Sequence, residues 1–144
     1  MARIDSLAPA AETALDDARL LRHYSMGTSA NWLRVNFVTS IDGASTIEGK
    51  SAGLGGEADR RVFDLLRSLC DVVLVGAGTV RTEGYGAMRL TDAQERLRIA
   101  RGLAPQPRFA IVSNSLNLDP GSDVFTKAPS RPLVLMNDKA DADE

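Results

Sequence analysis

The stretch Val72–Gly86, VVLVGAGTVRTEGYG, decides how this chain is read. It opens on a continuous apolar run, Val72–Val75, short enough for a strand buried on both faces. The run breaks into Gly76-Ala77-Gly78 and lands on Thr79. Two glycines allow positive φ and let another molecule approach the backbone closely. A threonine directly after them is suited to N-cap a short helix, leaving free N–H groups at its start. A strand, a glycine turn and a helix N-terminus in succession make a place for a phosphate. The plainer reading, a core strand ended by Gly-Ala-Gly, stands level with this one on these residues alone, because a lone Gly-x-Gly-Thr is a weak motif.

Downstream, Glu83-Gly84-Tyr85-Gly86 reads as a loop carrying an acid and an aromatic ring, with Arg89 after it. Thr91 and Gln94 have the spacing of a capping box opening a helix over Asp92–Arg101. Gly102 closes that helix, and Pro105 and Pro107 forbid its continuation. Phe109–Val112 reads as a second buried strand and Leu133–Met136 as a third short apolar run. Ser113–Pro120 between them is turn-rich, and Asn137–Glu144 is an acidic tail.

Upstream, the period from Gly56 onward is helical, with Ala58, Val62, Leu65, Leu66 and Leu69 on one face. Arg67 in the last turns suits the helix dipole, or aims a guanidinium at a ligand phosphate. Trp32–Thr39, WLRVNFVT, alternates as a strand does: Leu33, Val35, Phe37 and Thr39 share one face. Asn36 sits among these apolar neighbours, and a buried amide must find a partner in backbone or in a polar ligand. Ser40-Ile41-Asp42-Gly43 turns the chain, and Ser45–Gly53 reads as a polar, hairpin-like excursion. Its hydroxyls, lysine and glycines would suit a phosphate, although most such loops are simply solvated. Ala10–Arg22 reads as a helix with a partial apolar face, stopped near Gly27, with His23 a surface residue of its last turn.

Composition narrows the function classes. At 144 residues the chain is expected to form one domain, with no linker dividing it, and its 44% hydrophobic and 25% charged residues are ordinary for a globular protein. A net charge of −2 gives no reason to expect nucleic acid or an anionic membrane as partner. No apolar run has the length of a membrane span, and the start of the chain lacks the apolar core of a signal peptide. One cysteine, Cys70, precludes an internal disulfide and fits a cytoplasmic location. One histidine, His23, leaves no histidine-rich metal site, and no Gly-x-Ser-x-Gly elbow accompanies it. Strands alternating with helices indicate an α/β fold with at least partly parallel strands, in which ligands collect beyond the strands' carboxyl ends.

Three stretches together, VNFVTSIDG (Val35–Gly43), RRVFDLLRSLCD (Arg60–Asp71) and VLVGAGTVRTEGYG (Val73–Gly86), resemble the pyrimidine reductase domain of riboflavin biosynthesis. The likeness runs over residues 32–136. It implies a dihydrofolate-reductase-like α/β fold of mostly parallel strands with flanking helices. Residues 1–31 are then an N-terminal extension, and 32–144 the N-terminal portion of the reductase domain. That family reduces a ribosylamino-pyrimidine 5′-phosphate to its ribitylamino form with NADPH. By resemblance, Val38, Gly53, Gly76, Gly78, Thr79 and Glu83 fall on the cofactor side. Ser51, Arg67 and Arg89 match substrate contacts, while the resemblance implies Asn36 and Asp42 as catalytic residues: Asn36 occupies the place of a Lys or Asn that faces the substrate, and Asp42 matches the aspartate of the family's Ser-hydrophobic-Asp-Gly motif. No metal is implied. The family also implies a homodimer in its full-length form, a second glycine-rich motif beyond Leu133–Met136, and in many members a zinc deaminase domain upstream; neither of the latter is visible here. Glu-Gly-Tyr-Gly replaces the family's Asp-Asp/Asn-Pro, which keeps a dihydrofolate-type substrate open. A third reading is a truncated, non-catalytic nucleotide-binding module.

Overall fold

The computed structural model describes residues 2–8, 10–25, 32–51 and 53–138. They belong to two compact units, Met1–Leu69 and Cys70–Glu144, where the sequence suggested one. The helix stop near Gly27 and most of the acidic tail lie outside the described residues.

In the first unit, helix α1 spans Asp17–His23 rather than the expected Ala10–Arg22. The reason is competition for backbone hydrogen bonds. Ser6 and Glu12 pair as an antiparallel bridge, and the Leu15 N–H donates to the Ile4 carbonyl at 2.8 Å. Ala14 takes a φ of +53°, held by its N–H donating to Asp5 at 2.7 Å. Residues 10–15 are thus occupied by the N-terminal segment, and Asp16 caps the helix by accepting from the Arg19 N–H. Helix α2, Glu57–Arg67, follows the expected period. Arg61 ties it to α1: its guanidinium donates to Asp17 at 2.8 Å and to the carbonyls of Leu15 and Ala2, each at 3.0 Å.

Between these helices, Trp32–Thr39 does not form the expected strand. It joins no ladder among the described residues, and Leu33 and Phe37 are 81% and 85% exposed. Alternation specifies which faces a strand would show, but strand formation needs a partner edge. Arg34 is anchored, donating to the Tyr24 carbonyl at 2.8 Å and lying over its ring. The excursion after it is a hairpin as expected: Ile47 and Lys50 bridge around Glu48 and Gly49, both at positive φ, the geometry of a two-residue type I′ turn.

The second unit is the α/β part. Strand β1 (Val72–Gly76) leads into helix α3 (Ala77–Glu83), then helix α4 (Asp92–Ile99), strand β2 (Arg108–Val112), the short helix α5 (Asp123–Thr126) and strand β3 (Leu133–Leu135). The three strands are parallel in the order β1-β2-β3, with Val72 opposite Arg108, Gly76 opposite Val112, and Val112 opposite Leu135. Phe109 and Ile111 are buried with Ala77, Val80 and Val124, and Val73 and Val75 pack against them.

The opposite face holds the second departure. The apolar run of β1 suggested burial on both sides, yet its burial alternates, with Val72 45% and Leu74 54% exposed. Val112, Leu133 and Leu135 on the same face are exposed too. Residues paired across a parallel sheet share a face, so these five half-exposed apolar side chains line one side of the sheet, with Ala110 buried at its centre and Arg108 exposed at its edge.

Helix α4 begins with the expected capping box, Thr91 accepting from the Gln94 N–H and Gln94 accepting from Thr91. It ends at Ile99 with Gly102 at a φ of +75° and the Leu103 N–H on the Arg98 carbonyl. Arg98 itself has no exposed surface. Its Nε donates to the Ala104 carbonyl and its Nη1 to the Cys70 carbonyl, each at 2.7 Å, fastening the helix end to the entrance of β1. Burial pushes the guanidinium's pKa below its ordinary value, with Cys70 and Asp71 opposing. Arg98→Met strands both carbonyls and is expected to lower stability by about 2–4 kcal/mol. Arg96→Met on the exposed side of the same helix should change it by under about 0.5 kcal/mol. Urea unfolding of the two variants measures the contrast.

Candidate functional site

The expected site residues divide between the two units. Asn36, Val38, Asp42, Ser51, Gly53 and Arg67 belong to the first, and Gly76, Gly78, Thr79, Glu83 and Arg89 to the second.

In the second unit the glycine turn stands at the carboxyl end of β1. Gly76 is itself the last strand residue and the N-cap of α3, at φ −73° and ψ 143°. Ala77, whose side chain is buried, is the first helical residue. Thr79 is therefore inside the first turn with an exposed side chain, and the expected N-cap role passes to Gly76. Capping requires a non-helical residue, and Thr79 is already helical. Nor does either glycine use its backbone freedom, because the positive-φ glycines are Gly43, Gly49, Gly84 and Gly102.

Packing does not require these glycines either. A Cβ added at Gly76 or at Gly78 would meet no atom within 4 Å. With neither φ nor crowding asking for glycine, what both positions supply is bare backbone open to approach from outside.

The loop after α3 has a structural role at its centre. Gly84 takes the left-handed C-cap at φ +66°, with its N–H on the Val80 carbonyl. Tyr85 stacks on Phe109, ring centroids 6.3 Å apart, and packs against the buried cluster. Glu83, the last residue of α3, is half-buried. Arg81 donates to the Asn117 carbonyl at 2.7 Å, and exposed Arg89 reaches the Lys127 carbonyl at 3.4 Å.

In the first unit, Asn36 has an exposed side chain, not one enclosed by apolar neighbours, because the strand that would have enclosed it does not form. Val38 is half-buried in the same segment, and Ser51 is half-buried beyond the hairpin. Gly53 packs against Ile47, which a Cβ there would meet at 3.6 Å. Arg67 lies along its own helix, its guanidinium 5.3 Å above the Phe63 ring and 3.4 Å from Asp64. At 18% exposure, that side chain is held by packing and an ion pair while keeping an edge in water.

Asp42 occupies the expected turn. The Gly43 N–H donates to the Ser40 carbonyl at 3.0 Å and the Ser40 N–H to the Ala44 carbonyl at 2.9 Å, with Gly43 at φ +86°. The Ser40 hydroxyl donates to the Asp42 carboxylate. That contact holds Asp42 below the usual carboxylate pKa. Ser40 is a residue that the sequence reading passed over as part of a turn; its place two positions before Asp42 was the available signal. His23 ends α1 as expected, 3.4 Å from Glu12. Among the described residues no cluster of His, Cys, Asp and Glu could hold a metal, and no helix is long and apolar enough to cross a membrane.

In a parallel α/β sheet ligands collect beyond the carboxyl ends of the strands, which is where Gly76 and Gly78 lie. The RibD C-terminal domain family matches residues 31–144, and the chain belongs to that family. Its structure is similar to a pyrimidine reductase-like protein from Corynebacterium diphtheriae, with a TM-score of 0.65 and 34% identity. The match covers 69% of this chain and 42% of that one, so the chain spans less than half the length of that relative. No curated protein matches the chain.

Gly84 tests the loop geometry. Gly84→Ala forces a side chain into left-handed backbone and is expected to cost about 1–2 kcal/mol. Gly86→Ala, at a position without positive φ or a close neighbour, should stay within about 0.5 kcal/mol, as read by thermal unfolding.

Proposed function

We propose that this chain is the part of a pyrimidine reductase that binds NADPH and a ribosylamino-pyrimidine 5′-phosphate, which is reduced to the ribitylamino form. Family membership supports the reaction class. The observation that carries the cofactor assignment is the glycine pair, Gly76 and Gly78, where neither φ nor packing accounts for the missing side chains. These residues fit a dinucleotide: bare backbone at a strand's carboxyl end lets phosphate oxygens come close to peptide N–H groups. Thr79 adds a hydroxyl there, and Glu83 lies at the far end of the same short helix.

When bound, the reduced nicotinamide would supply hydride to C1′ of the open-chain sugar. The chain's own residues place the substrate. Arg67 holds its phosphate, since a guanidinium matches phosphate oxygens two at a time. Ser51 adds a hydrogen bond to the substrate, and Asn36 orients the sugar hydroxyls. The proton that completes reduction at nitrogen comes from water. A homodimer and a cytoplasmic setting belong to the same reading.

A pyrimidine is favoured over dihydrofolate. The Glu-Gly-Tyr-Gly loop, which raised the second possibility, turns its aromatic ring into the core, against Phe109. Tyr85 thus has a packing role and Gly84 a capping one, which supports the pyrimidine reading.

The chain should consume NADPH with 5-amino-6-(5-phosphoribosylamino)uracil and leave dihydrofolate unchanged. Gly78→Val should weaken NADPH binding at least tenfold, read by quenching of NADPH fluorescence. Arg67→Ala should raise the KM for the pyrimidine by roughly 10- to 100-fold, the loss of a charge-assisted contact of about 1.5–3 kcal/mol, with little change in NADPH affinity. Binding of NADPH that survives Gly78→Val unchanged would remove the glycine pair from the site.

A further inference from the structure

The parallel register sets the carboxyl ends of the three strands side by side, with Gly76 opposite Val112 and Val112 opposite Leu135. The chain leaves β2 through a tight turn. The Leu116 N–H donates to Ser113 Oγ at 3.0 Å and the Leu118 N–H to the Leu116 carbonyl at 2.6 Å, with Leu116 at φ +52°. Two side chains reach this turn from neighbouring elements. From α3, the Arg81 guanidinium donates to the Asn117 carbonyl at 2.7 Å. From the segment after β3, Asn137 Nδ2 donates to Asn114 Oδ1.

Both contacts leave donors over. A guanidinium carries five N–H groups in a fixed fork, and Arg81 commits one of them to Asn117. Its side chain is exposed, and among the described residues no carboxylate pairs with it. The carbonyl thus fixes a full positive charge in place without neutralising it. A tie that served the turn alone would need no charge, since a neutral amide donates to a carbonyl too. Asn114 has a similar surplus: its oxygen is taken by Asn137, and both protons of its amide nitrogen remain to give.

The position of Arg81 ties this surplus to the glycine pair. Gly78 and Arg81 are three residues apart in α3 and therefore neighbours on one helix face. Other cations of this unit are placed elsewhere. Arg108 opens β2 and Arg131 precedes β3, both at the amino ends; Arg98 is buried, and Lys127 pairs with Asp123 at 3.0 Å. A dinucleotide with its pyrophosphate on the bare backbone of Gly76 and Gly78 carries its adenosine next to that pyrophosphate. NADPH differs from NADH by one phosphate on the 2′ oxygen of that adenosine, an anion that calls for a cation and further N–H donors.

We propose that Arg81 reads the 2′-phosphate of NADPH, with the Asn114 amide as a second donor, and so sets a preference for NADPH over NADH. That the ligand is a pyridine dinucleotide rests on the reductase reading above. Recognition of a 2′-phosphorylated adenosine by Arg81 is measurable without it.

The test is binding to the full chain, read by fluorescence for NADPH and NADH and by calorimetry for adenosine 2′,5′-bisphosphate and adenosine 5′-monophosphate. Wild type is compared with Arg81→Gln, which keeps an N–H donor but no charge. It is also compared with Asn114→Asp, which keeps the acceptor for Asn137 and puts a negative charge where the free donors were. Wild type should bind NADPH at least tenfold more tightly than NADH, and the bisphosphate at least tenfold more tightly than the monophosphate. Each variant should weaken NADPH and the bisphosphate at least tenfold while NADH and the monophosphate stay within twofold.

A wild type that binds the bisphosphate no more tightly than the monophosphate overturns the proposal. So does Arg81→Gln that leaves NADPH binding unchanged, or that weakens NADPH and NADH alike, which would make Arg81 a tie for the turn only. Asn114→Asp without effect on NADPH overturns the part given to Asn114. Failure of the reductase reading looks different: the bisphosphate is bound through Arg81, yet no NADPH is consumed with the pyrimidine.

Discussion

The parallel pairing of Val72–Gly76 with Arg108–Val112 is the constraint on which the α/β unit depends. Parallel neighbours cannot be joined by a tight turn, so the chain must leave the carboxyl end of β1 and return to the amino end of β2. The segment that does so contains α3, the Gly84 cap, the Tyr85 contact and α4. Each serves that return. Ala77 and Val80 seat α3 on the core, Tyr85 follows Gly84 back to Phe109, and Arg98 locks the end of α4 to the Cys70 carbonyl just before the strand starts. Because β3 is parallel as well, Gly76, Val112 and Leu135 line up in register at one end. That end is where Gly76 and Gly78 leave their backbone bare.

Much of this was legible from local chemistry. Val72–Val75, Phe109–Val112 and Leu133–Met136 are apolar runs bounded by breakers, and each coincides with a strand to within one residue at either end. Thr91 and Gln94 announced α4 because a capping box is satisfied within four residues. The parallel α/β class followed from alternation of strand and helix. The resemblance carried by Val35–Gly43, Arg60–Asp71 and Val73–Gly86 pointed to the family to which the chain belongs.

What escaped reading depends on partners distant in sequence. Trp32–Thr39 has the pattern of a strand, but no residue within it specifies a neighbouring edge. Ala10–Leu15 has residues acceptable to a helix, yet Ile4, Asp5 and Ser6 claim its N–H groups first. Thr79 looked like a cap because serine and threonine so often are. The buried methyl of Ala77 instead draws the helix start three residues earlier. Arg98 gave no sign of burial, since its partners are carbonyls, and carbonyls are the same in every residue. The placement of Asn36 went astray with the strand that was to enclose it. Asp42 sat where a Ser-x-Asp-Gly turn puts it, with the Ser40 hydroxyl donating to its carboxylate.

The apolar face formed by Val72, Leu74, Val112, Leu133 and Leu135 has a thermodynamic corollary. The heat capacity gained on unfolding comes chiefly from apolar groups newly hydrated, and these side chains already keep 37–54% of their surface in water. The α/β unit therefore melts with a smaller heat-capacity increment than a parallel sheet sheathed on both sides. Its free energy of unfolding varies with temperature along a flatter dome, and the denaturant slope shrinks with it.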